Sequence, residues 1–86
     1  MGNLIRTDGT VSEYPPKGKK YTLAELQAAV GGDITLIPLP DWSMLVVNED
    51  GRRLNLPVNA GASAQLGRGA VPIVGDAVLC RRREID

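Results

Sequence analysis

Histidine is absent from these 86 residues, and so is phenylalanine. Without histidine the commonest general base and metal ligand is missing, and neither a Ser-His nor a Cys-His nucleophile pair can form. Cys80 stands alone, which excludes an intrachain disulfide and a cysteine cage for zinc. Net charge is missing too, with ten basic residues against ten acidic ones. A strongly basic nucleic-acid binder would show a surplus. No apolar stretch approaches the roughly 20 residues that span a bilayer. Met1 to Leu4 has no basic segment leading into an apolar run, so no secretory leader is expected.

The remaining composition is globular: 43% of residues are hydrophobic. With one Trp and two Tyr, the core must be built from Leu, Val, Ile and Ala. The length implies one domain over 1–86, and a lone cysteine suits a reducing cytosol.

Punctuation by Gly and Pro divides the chain. Asp8-Gly9, between short strand-like runs, reads as a hairpin over 3–14. Pro15-Pro16-Lys17-Gly18 then opens a loop. Thr22-Leu23-Ala24-Glu25 matches the capping box, and Leu23, Leu26 and Val30 follow at helical spacing until Gly31-Gly32, so a helix is expected over about 22–30. Ile34–Pro38 reads as a strand. Met44–Val47 is a near-continuous apolar run, the pattern of a central strand buried on both faces. Asn48-Glu49-Asp50-Gly51 reads as a turn with Gly51 at positive φ, and 53–56 as the strand returning across it. Asn59 is placed to cap a short helix over 60–66, closed by Gly67, and 76–81 forms the last strand.

The expected fold class is therefore α+β. It comprises a mixed, mostly antiparallel sheet of about six short strands, with two short helices packed on one side. The two Asp-Gly hairpins also admit a reading as two ββαβ pseudo-repeats. The first half would cover 1–43, and the second, with its basic tail, 44–86.

MLVVNEDGRRLNLPVN at 44–59, IVGDAVLC at 73–80 and YTLAELQAAVGG at 21–32 carry a resemblance over about 20–81. These segments resemble a family of small domains found in phages, plasmids and their bacterial hosts, described as domain of unknown function 3846. The resemblance implies a mobile-element origin and a place in the host bacterial cytosol. It supplies no chemistry, and no catalytic residue carries over from it.

The acidic residues are accounted for locally. Asp8 and Asp50 lie in turns, Glu25 in a capping box and Asp33 after a helix stop. No metal, cofactor or catalytic set is expected, and the protein reads as non-enzymatic. Gly67-Arg68-Gly69 lacks the Lys-Ser/Thr of a phosphate loop, although Arg68 between glycines can approach an anion closely. Asn48, Arg52, Arg53 and Asn59 surround the second turn, with helix capping and solvation as their structural alternatives. Trp42, in a loop entering a strand, can be a core plug or a stacking platform. Tyr14 and Tyr21 bracket the loop that carries Lys17, Lys19 and Lys20, and permit the same functional reading. The arginines at 81–83 form either a solvated tail or a phosphate clamp.

These residues point to binding rather than catalysis. The first expectation is sequestration of a nucleotide-derived signalling molecule in countering host defence, with Arg and Lys on the phosphates and Trp or Tyr on the base. The alternative is a protein that occludes a host defence protein, or a regulatory module. A homo-oligomer is expected. Nucleic acid is disfavoured as a partner by the neutral charge, and no membrane partner is expected.

Overall fold

The computed structural model describes residues 2–67, 69 and 71–85. Seven elements follow in order: β1 (Asn3–Ile5), β2 (Val11–Glu13), α1 (Leu23–Val30), β3 (Ile34–Pro38), β4 (Ser43–Asn48), α2 (Ala60–Ser63) and β5 (Ala77–Arg81). Short 3-10 turns follow α2 and β5.

Local signals set α1. The Thr22 hydroxyl accepts from the Glu25 N–H at 3.2 Å, and the Glu25 carboxylate accepts from the Thr22 N–H at 2.9 Å. Backbone N–H groups of Thr22 and Lys17 hold the Glu25 carboxyl below its usual pKa. Gly31 ends the helix at φ 81°, the left-handed conformation that costs glycine least.

The strands form one sheet in the order β2-β1-β5-β4-β3, every pairing antiparallel. Among the described residues parallel pairing is limited to an isolated bridge between Tyr21 and Ile85. Five strands form where about six were expected. The missing one is the return strand at 53–56. Those residues instead close a compact turn through Leu54 N–H to Asp50 O, Asn55 N–H to Arg52 O and Leu56 N–H to Gly51 O. The reason lies in β4, which pairs with β3 along one edge and β5 along the other, leaving no edge to return to. Asn55, not Gly51, takes the positive φ there.

The second half is thus β-α-β, without the second hairpin. In addition, β4 and β5 are neighbours whereas β1 and β3 are not, so the strands do not sit as two equivalent ββαβ units.

Alternation along the strands gives the sheet two cores. Leu4, Met44, Val46, Val78 and Cys80 face Leu26 of α1 and Tyr21. Ile5, Leu45, Val47 and Ala77 face Ala62 of α2 and Ile73. The helices therefore cover opposite faces, correcting the expectation of one side. A strand apolar on both faces needs cover on both.

Candidate functional site

The structure disperses the sequence-derived candidates. Asn48 is buried: its Nδ2 donates to Val30 O at 3.1 Å and its Oδ1 accepts from Asp50 N–H at 2.8 Å. Asn59 is fully buried. Its Oδ1 caps α2 at Ala62 N–H (3.0 Å), while its Nδ2 donates to Ile5 O (2.8 Å) and Gly75 O (2.9 Å). Both asparagines are internal struts, and Asn59 has both amide N–H groups engaged.

Arg52 reaches across to Pro72 O at 2.6 Å, pinning two loops beside an apolar recess walled by Ile37, Val47, Leu66 and Val71. Arg53 pairs with Asp50 at 3.2 Å on the surface. Tyr14 stacks on Tyr21, ring centroids 6.1 Å apart, and donates to Glu25 O at 2.7 Å. Lys20 lines a separate shallow recess with Tyr14 and Lys17. Arg68 lies outside the described residues.

Trp42 is exposed at the β3–β4 turn, opposite in the sheet to Asn48. Six strand residues at roughly 3.4 Å each put about 20 Å between them. The residues that share a recess with Trp42 are Arg81, Arg82 and Arg83, the run at the end of β5. With Asp41 they line a recess of about 540 Å³.

Strand pairing brings them together. Ser43 lies opposite Arg81, which sets the β3–β4 turn beside the chain leaving β5. Arg82 N–H donates to Trp42 O at 2.9 Å, and the Arg81 guanidinium donates to Asp41 O at 3.2 Å. The Arg82 guanidinium lies over the indole, 5.9 Å from the ring centroid, a cation–π distance. The Ser43 hydroxyl holds the Asp41 carboxyl below its usual pKa, so this acid is engaged within its own turn. Among the described residues no carboxylate forms a salt bridge with the three guanidiniums.

A solvent-facing indole backed by a guanidinium, beside two more guanidiniums, is chemically suited to a ligand with an aromatic ring and phosphate. The sequence reading weighed the arginine run and Trp42 separately. They lie about 40 positions apart, and only the pairing of β4 with β5 joins them.

Burial pushes the Cys80 thiol up to about 11, away from a reactive thiolate. Among the described residues no group of three His, Cys, Asp or Glu is placed to hold a metal ion. No helix among them is long and apolar enough to cross a membrane. No match was found among curated proteins or among solved structures. One family model does match, over residues 4–86, which is nearly the whole sheet and both helices: the chain belongs to the family described as Domain of unknown function (DUF3846).

Proposed function

We propose that this protein is a non-enzymatic binder of a nucleotide-derived small molecule, taken up at the Trp42 and Arg81–Arg83 recess. The observation that carries the reading is the convergence of one exposed indole with three guanidiniums in a recess of about 540 Å³. That volume lies within the range of roughly 300–1,000 Å³ usual for small-molecule sites. The recess uses Trp42 from the original set of candidates and replaces Asn48, Asn59 and Arg53 with the terminal arginines. The mobile-element origin implied by the family resemblance gives the binding its purpose: sequestering a signalling nucleotide of host defence in the bacterial cytosol.

A thermal-shift screen with cyclic dinucleotides, ADP-ribose and nucleoside diphosphates tests it. At a ligand concentration of 100 Kd, binding adds about 2.7 kcal/mol, a rise of roughly 10–20 °C for a domain of this size. Trp42→Ala should cut the rise by about half or more. A flat response across the panel rejects the reading.

Self-association belongs to the same proposal. Leu39 N–H bonds to Ser43 O and Glu49 N–H to Asp33 O, so the odd-numbered residues of this register face β4. The N–H groups of Ile34 and Leu36 therefore point outward, on an edge strand without a charged side chain. Occlusion of a host protein is the second reading, supported by exposed Leu54, Val58 and Val71 along the loops flanking α2. Saturable binding of one purified host protein by a chain carrying Trp42→Ala would favour it.

A further inference from the structure

The β1–β2 and β3–β4 hairpins are closed by the same kind of turn. Arg6 N–H donates to Thr10 O across Thr7-Asp8-Gly9, and Leu39 N–H donates to Ser43 O across Pro40-Asp41-Trp42, both at 2.9 Å. Each turn has an Asp at its second position. Each Asp carboxyl is held below its usual pKa first by the hydroxyl two residues on, Thr10 or Ser43. In each, the third residue is left-handed: Gly9 at φ 92° and Trp42 at φ 66°. Three-residue hairpin loops place glycine at that third position, because a Cβ is strained there. The first hairpin obeys this rule and the second breaks it with the largest side chain available.

Folding does not account for the exception. The Trp42 side chain covers no core, being 72% exposed. Its defined contact is the Arg82 guanidinium lying over one ring face. Strain retained at an exposed aromatic marks a position chosen for what it presents rather than for what it stabilises.

We infer that Trp42 is a strained stacking platform, that Arg82 positions its indole from one face, and that the recess grips a nucleotide at two points. This rests on the reading above and assigns the parts. The base stacks on the open indole face. The phosphate is held by Arg81 and Arg83. Arg81 keeps further N–H donors after its bond to Asp41 O, and Arg83 lines the same recess. Arg82 is a positioning residue, its charge spent on the ring. Base and phosphate must be joined for tight binding, since either alone engages half of the site.

The protein's single tryptophan makes emission a direct readout. The probes are ADP, GDP, cyclic di-AMP, adenosine, inorganic pyrophosphate and an eight-residue oligothymidylate. ADP should quench Trp42 and bind about tenfold or more tighter than adenosine or pyrophosphate. Equal binding of ADP and either fragment overturns the two-point grip while leaving nucleotide binding intact. No response to ADP, GDP or cyclic di-AMP overturns both readings. Oligothymidylate binding more tightly than ADP assigns the platform to a single strand and overturns the small-molecule assignment.

Trp42→Gly separates strain from function. It should leave the melting temperature unchanged or raise it, while ADP affinity, followed by calorimetry, falls about tenfold or more. A lower melting temperature overturns the strained-platform argument. Arg82→Ala should weaken ADP and shift the emission maximum, and Arg82→Lys, which keeps a cation over the ring, should restore most of both. Undiminished binding by Arg82→Ala overturns the positioning role.

Discussion

Asn59 and Trp42 mark the two extremes of what one side chain does in this chain. Asn59 is fully buried, and its amide ties together α2, β1 and the chain entering β5. Asn59→Ala removes the cap and strands two buried carbonyls. It should cost about 2–4 kcal/mol in chemical denaturation. Its capping role was legible, because an N-cap is a local pattern. Its bonds to Ile5 and Gly75 were not, since they span 54 and 16 residues. Trp42 is the reverse case. Pro-Asp-Trp-Ser beside Thr-Asp-Gly-Thr held the clue to its turn, but the arginines it meets come from the far end of the sequence.

At the level of elements, locality again decides what could be read. The capping box and Gly31 fix α1 within one residue of its expected span, and β3 falls on Ile34–Pro38 as expected. The 53–56 strand failed because strand formation needs a partner edge, and β4 has none to spare. The two Asp turns and the α1 cap also set an acid limit. Asp8, Asp41 and Glu25 have folded pKa values lowered from 3.8, 3.8 and 4.5. Their contribution is therefore present above those unfolded values and is lost as pH falls through the folded ones. Stability followed by circular dichroism should drop below about pH 4, and Thr10→Val should flatten the part due to Asp8. The β3 edge carries its own protection at one end, where the N–H that Pro38 lacks would have pointed outward. If that edge joins two copies, Leu36→Lys should lower the sedimentation mass to that of a monomer without lowering the melting temperature.

The whole molecule is a single sheet with a thin core on each face and a radius of gyration of 11.7 Å. With so little depth, β4 and β5 carry both cores at once. Leu45, fully buried on the α2 side, should cost about 2–5 kcal/mol when cut to Ala. For a domain this small that is a large share of the total, and guanidinium unfolding should show it as a lower midpoint. Cys80 lies in the opposite core. Its thiol pKa is raised by burial from 9.0 to about 11, so its contribution is complete below pH 9 and fades as pH rises toward 11. Cys80→Ala should remove that alkaline loss while lowering stability at neutral pH. Iodoacetamide should label Cys80 only on unfolding.

Near-neighbour patterns in the sequence set α1 and its caps, the Asp8-Gly9 turn and the doubly apolar β4. Tertiary structure alone decided the strand order, the cover of opposite faces by the two helices, and the meeting of Trp42 with Arg81, Arg82 and Arg83. The division follows from the interactions. Caps and turns are satisfied within a few residues, so their patterns are written contiguously. Pairing between β4 and β5 is chosen by competition among edges across the whole chain, and the recess exists only where that competition ends.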